Sequence, residues 1–316
     1  MPYYSDITLR ESKVSADSTL VPGYHPHTAS YLGLRLDALR KNQNPDGGWG
    51  YFPGKASWLE PTAYAALALS GDPAADRAWK LLSSWQLPDG SWKPSSQVDI
   101  SSWGTSLCAT IAIARNEWGQ PLRSGVNWLV GTTGIESNLF NVVLARLRMV
   151  KQERNIALKA WPWKPGNSGW VEPTVHALVA LKQAAAQLST RDLRDRVHQG
   201  EAQLMDVRSR DGGWNYGSPA ALGIDLPSYP ETTALALVAL QGRSDLGKAF
   251  DLAQHQIGET PSPLARAWLT IAMRLHGIQP AEELTAPPPA DLMITAVEAL
   301  AAPEGHHHLM QTGAVA

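Results

Sequence analysis

Residues 42–69 read NQNPDGGWGYFPGKASWLEPTAYAALAL, and the order of residue types in that stretch decides the fold. It opens on Asp46-Gly47-Gly48-Trp49, a turn in which glycine lets the backbone reverse, Asp accepts turn amides and Trp brings a large apolar surface with one donor. It closes on Thr62 to Leu69, TAYAALAL, small and apolar on nearly every face. A helix of that kind is covered by other helices rather than by water. The unit recurs as SWQLPDGSWKPSSQVDISSWGTSLCATIAIA from Ser84 and as RSRDGGWNYGSPAALGIDLPSYPETTALALVAL from Arg208. AWPWKPGNSGWVEPTVHALVALK, from Ala160, keeps the second half and lacks the Asp-Gly-Gly-Trp. Asp46 and Asp89 are 43 residues apart and Asp211 follows 122 later, close to three such periods. That periodicity marks an array of supersecondary units.

Between the apolar helices lie others charged on one face, within 74–86, 190–207 and 246–256. The pattern predicts an inner layer and an outer layer. Twelve helices are expected, near 28–43, 59–70, 73–86, 101–115, 122–130, 138–151, 171–185, 190–207, 230–242, 245–256, 262–276 and 289–301. No β-alternation competes, so the class is all-α. Alternating layers either close into a double-walled ring, an α/α toroid of about six hairpins, or remain an open superhelix. The expected organisation is an N-terminal extension over 1–27, one toroid domain over 28–301 and a flexible tail over 302–316.

With 27 Lys and Arg against 29 Asp and Glu, the net charge of −2 provides no basic field for nucleic acid. Hydrophobic residues make up 44% and charged residues 18%, a composition that folds rather than solvates. A single cysteine, Cys108, excludes an internal disulfide and a Cys-rich zinc site, and a reducing cytoplasm is the simplest compartment. Neither a signal peptide nor a transmembrane run is expected, while peripheral membrane contact stays open. The 13 Trp and 8 Tyr against 3 Phe are a bias that repeated turns explain only in part.

Gln43-x-x-Asp46-Gly47-Gly48-Trp49 and Gln86-x-x-Asp89-Gly90-Ser91-Trp92, with the shorter echo Asp211-Gly212-Gly213-Trp214, resemble the Gln-Trp repeats of squalene-hopene and oxidosqualene cyclases. The repeats extend over about Leu32 to Ala272. The resemblance implies one α/α toroid, about half a triterpene cyclase, in the superfamily that also holds the protein prenyltransferase β-subunits. It further implies an apolar cavity and Trp49, Trp92 and Trp214 tying outer helices together.

In that family the proton donor is the middle Asp of Asp-x-Asp-Asp-Thr at the start of an inner helix. The equivalent runs are Trp58-x-Glu60-Pro61-Thr62, Ser101-x-Trp103-Gly104-Thr105, Trp170-x-Glu172-Pro173-Thr174 and Tyr229-x-Glu231-Thr232-Thr233. None is complete, yet three place Glu where the acid would stand. In a closed ring Glu60, Glu172 and Glu231 converge on one mouth as candidate acids. A plainer role is open to each of them, since a carboxylate in a first helical turn gains ~0.3–1 kcal/mol from the helix dipole. Asp99 and Asp225, in loops before inner helices, are candidates to assist a Glu or to cap a turn. Trp58, Tyr64, Trp103, Trp170, His176 and Tyr229 form the candidate substrate-binding set, whose rings would stabilise a carbocation or simply pack.

Asp-Asp-x-x-Asp is missing, so metal-assisted ionisation of a diphosphate is not expected; neither is the zinc set of the prenyltransferases, because Cys108 has no paired His. No metal and no cofactor are expected. Three functions remain: a class II terpene-cyclase-like protein that takes a linear isoprenoid and cyclises it by protonation, a non-catalytic isoprenoid- or partner-binding toroid, and an α/α-barrel acting on carbohydrate. The oligomeric state is not encoded in any of these signals.

Overall fold

The computed structural model describes residues 30–147, 154–221, 223–280 and 286–313. The expected N-terminal extension over 1–27 therefore lies outside the described residues, as do 148–151 of the sixth expected helix and the tail beyond 313.

Among the described residues twelve α-helices form: α1 (Tyr31–Lys41), α2 (Leu59–Ala68), α3 (Pro73–Ser83), α4 (Thr105–Ala114), α5 (Gln120–Gly131), α6 (Leu139–Arg146), α7 (Val171–Ala184), α8 (Arg191–Asp206), α9 (Pro230–Ala239), α10 (Gly247–Glu259), α11 (Pro263–Leu275) and α12 (Leu292–Ala301). α2, α4, α7, α9, α11 and α12 pack each on the next, and α12 packs back on α2. The inner wall is a closed ring of six helices, not an open superhelix. Outside it, α1 backs α12, α3 backs α2, α5 backs α4, α8 backs α7, and α10 sits against α9 and α11. The fold is an α/α toroid. The described part of the segment between α11 and α12 carries no helix, and among the described residues the outer wall has five helices. α6 stands off the ring, beside the short 3₁₀ turn Ile135–Ser137.

The repeated tryptophan is the rivet between the layers. Trp49, Trp92, Trp161 and Trp214 are all buried. Each indole Nε1 donates to a last-turn carbonyl of the preceding outer helix: Leu39 at 2.8 Å, Leu82 at 2.9 Å, Leu129 at 2.8 Å and Leu204 at 2.6 Å. Each Trp backbone N–H donates to a threonine on the following inner helix, Thr62, Thr105, Thr174 or Thr233, at 2.9–3.1 Å. A last-turn carbonyl at one helix end and a buried amide at the next are thereby bonded by one residue. Gly47, Gly90 and Gly212 hold positive φ at the heart of their turns. Trp161 lacks that turn, and Arg196 of α8 replaces it: its guanidinium lies 3.1 Å from the ring centroid and donates to the carbonyls of Thr132, Lys159 and Ala160.

A second set of bonds joins each unit to its neighbour. The N–H groups of Leu59, Trp103, Val171 and Leu292 donate to the carbonyls of Pro94, Trp163, Tyr216 and Tyr51 at 2.7–3.0 Å. Each acceptor is the second residue after a buried tryptophan, and the last bond returns the chain to its first unit.

The segment from Ala302, expected as a flexible tail, is packed structure as far as Gly313. Its 3₁₀ turn His306–Met310 touches α2, α4, α11 and α12. Gln183 on α7 donates to Leu309 O, and Gln241 just beyond α9 donates to Met310 O. Five inner helices and the residues just after α9 thus meet this segment, with Met310 buried among them. Glutamine amides and apolar helix ends presented by the ring give the tail its partners.

Candidate active site

The inner helices point their N-termini at the other end of the ring, and the N-cap positions there are aromatic: Trp58 for α2, Trp170 for α7 and Tyr229 for α9. These rings are 38, 40 and 43% exposed, an unusual state for such large apolar groups. Trp103, beside the start of α4, packs edge-on against Trp163, with centroids 5.1 Å apart. Tyr216 and Tyr229 pair at 5.2 Å. The mouth is an aromatic-walled cup.

Glu60, Glu172 and Glu231 occupy the first turns of α2, α7 and α9 and are half-buried in this cup. The structure brings all three within reach of one another's charge. Burial raises the Glu172 carboxyl well above the ordinary range, and the charges of Glu60 and Glu231 add to the effect. Glu60 is also raised by burial, opposed by the hydrogen bond it accepts from Tyr51, whose hydroxyl lies 2.5 Å from Oε2. Burial likewise raises Glu231. Among the described residues neither Glu172 nor Glu231 has a hydrogen-bond or ion-pair partner. A helix-cap role explains their position but not three raised acids facing one space.

Tyr64 and His176 lie one turn below Glu60 and Glu172 on the same helix faces and are sealed from solvent. They are floor rather than wall. The Tyr64 hydroxyl is 3.0 Å from His176 Nε2, and burial pushes the imidazole down to about 3, so the ring is neutral. Trp103 rests against His176 at 5.3 Å.

Asp99 and Asp225 do not join the acids. Asp99 pairs with Lys93 at 2.7 Å and is 76% exposed; Asp225 pairs with Arg210 at 2.8 Å on the short hairpin Ala220–Ala221 and Ile224–Asp225. Each loop acid pairs with a cation, and among the described residues neither bonds to a Glu. Cys108 is a buried hydrophobe on α4 with its thiol pushed up by burial. Among the described residues no group of three or more His, Cys, Asp or Glu side chains is arranged to hold a metal ion, and no helix is long and apolar enough to cross a membrane.

Four contributors were not singled out from sequence: Tyr51, Trp163, Tyr216 and Trp268. Tyr51, Trp163 and Tyr216 share one signal, their place two residues after Trp49, Trp161 and Trp214. Trp268 has none, because α11 follows no tryptophan turn.

No protein-family model matches the chain, and no curated protein matches it in sequence. Solved structures do. The apo type II terpene cyclase MstE from Scytonema is 16% identical over 86% of this chain and 76% of its own, with a TM-score of 0.50. An inactive variant of the α-1,6-mannanase GH76A of Salegentibacter, in complex with α-1,6-mannotriose, is 9% identical over 86% and 98%, with a TM-score of 0.57. The family 8 glycosyl hydrolase Cel10, an endoglucanase from Klebsiella pneumoniae, is 15% identical over 84% and 97%, with a TM-score of 0.54. At these identities the likeness is one of fold, shared by cyclase and glycoside hydrolases alike.

Proposed function

We propose that the cup binds an isoprenoid-class ligand and isomerises or cyclises it by proton transfer from Glu172. The observation that carries this reading is Glu172 itself, a carboxyl whose pKa burial raises well above the ordinary range, without a partner among the described residues, in a space walled by aromatic rings. A protonated carboxyl delivers its proton to an alkene carbon, and the alkene's π electrons form the new C–H bond. The cation left on the neighbouring carbon faces Trp103, Trp163, Tyr216 and Tyr229, whose ring faces attract positive charge. Glu60, steadied by the Tyr51 hydroxyl, accepts the proton that the cation sheds, and the open mouth lets solvent return it to Glu172.

The test is mass-spectrometric product analysis of the full chain with prenyl diphosphates, squalene and oxidosqualene, beside Glu60→Gln, Glu172→Gln and Glu231→Gln. Glu172→Gln is expected to lower turnover by ~10²-fold or more with the fold intact. Equal product from all three variants sinks the reading, and ligand retained without product turns it into the binding toroid.

One observation favours carbohydrate instead: exposed ring faces at an open mouth above a sealed floor suit stacked sugars, with two carboxyls as acid and base. Hydrolysis of an α-mannan or β-glucan oligosaccharide, lost in the same Gln variants, would select that reading.

A further inference from the structure

A ring of six Ala-rich helices leaves a bore on its axis, and in this molecule the bore is filled. Tyr64, His176 and Trp268 are each the sixth residue of their helix, α2, α7 and α11. Those helices are alternate members of the ring, so their side chains meet only by crossing the axis. Trp268 lies 5.7 Å from Tyr64 and 5.8 Å from His176 between ring centroids, and the three are 2–3% exposed. The polar atoms of Tyr64 and His176 satisfy each other instead of the wall. Below them the axis ends on the packed turn His306–Met310.

We infer that this trio is a floor that fixes how deep a ligand descends, and that Trp268 decides ligand length. The inference rests on the cup being a ligand site. It narrows the ligand to a short chain or a compact ring, since Tyr64 and His176 lie six residues after the N-cap aromatics of their helices, about 9 Å below the rim. Trp268 is the member to remove, because its indole meets both partners and makes none of their hydrogen bonds.

The experiment uses the full chain as wild type, Trp268→Ala and the milder Trp268→Leu, which covers the case that the larger truncation does not fold. Crystals pressurised with xenon show whether the axis opens, and calorimetry with linear prenyl alcohols of ten, fifteen and twenty carbons reads ligand length. Wild type is expected to exclude xenon from the axis and to favour the shortest alcohol. The variants should hold xenon between α2, α7 and α11 and gain about fourfold in affinity per additional buried methylene of the longer alcohols. An unchanged length preference in a variant whose axis holds xenon overturns the inference, as does a wild type that favours twenty carbons. Xenon on the axis of the variants with no alcohol bound by any protein fells the prenyl reading of the cup, while the sealing role stands.

Discussion

Away from the mouth, two deeply placed cations meet acids: Arg35 of α1 meets Glu298 of α12 at 2.8 Å, and Lys182 of α7 meets Glu201 of α8 at 2.8 Å while donating to the carbonyls of Ala239 and Gln241. At the mouth, Glu172 and Glu231 have no such partner among the described residues, and Glu60 has only a tyrosine. One end solves the problem of burying charge by pairing it; the other leaves it unsolved. A half-buried carboxyl with no opposite charge beside it has its pKa raised, which costs stability at neutral pH and suits proton transfer.

The contrast breaks most visibly at the matched end. Arg35→Met strands Glu298 in the core, and a loss of about 3–5 kcal/mol is expected in chemical denaturation, whereas Glu172→Gln at the mouth should cost nothing. The next effect concerns pH. A carboxyl whose folded pKa lies above its unfolded one binds its proton more tightly when folded, so its contribution is complete below the ordinary carboxylate range and is lost as pH rises toward the folded value. Glu172→Gln is expected to remove a descending slope of at most about 1.4 kcal/mol per pH unit above about pH 4, read from urea midpoints at pH 5 and pH 8. Tyr51→Phe withdraws the donor that lowers Glu60, at a cost of about 1 kcal/mol, and should move the Glu60 titration upward in carboxyl-resolved NMR. Smallest is Asp99→Ala, whose pair with Lys93 stands in solvent: about 0.5 kcal/mol or less, with product formation unchanged. A large loss from Asp99→Ala, or a harmless Arg35→Met, would erase the difference between the ends.

Much of the scaffold was legible because it is written in period. Twelve helices and their two layers follow from where Ala and Leu recur and where charge occupies one face, and Glu60, Glu172 and Glu231 converge because the same first turn is used three times. The cup was less legible. Asp99 and Asp225 looked like assisting acids because a loop position says nothing of Lys93 and Arg210 beside it. Tyr64 and His176 stand four residues after Glu60 and Glu172, which fixes the face, yet wall and floor differ only through which helices face each other across the ring. That is a property of closure, carried by Trp268 on a helix outside the tryptophan pattern. The packed tail escaped for a similar reason: LMQTG is unremarkable until Gln183 and Gln241 present their amides to it.

The bonds from Leu59, Trp103, Val171 and Leu292 to the carbonyls of their neighbours have a kinetic meaning. A linear array of repeats frays from its two ends and opens piecemeal. Helix packing closes this ring, and the bond from Leu292 to Tyr51 ties its last unit to its first, so losing that link exposes both neighbours and favours a single cooperative transition. The same link joins residues from opposite ends of the domain, so it carries the largest loop-closure entropy and forms late, which makes folding slow for an all-helical protein. Until it forms, the apolar inner faces of α2 and α12 stand uncovered, and that interval, rather than the finished ring, is where aggregation threatens the chain.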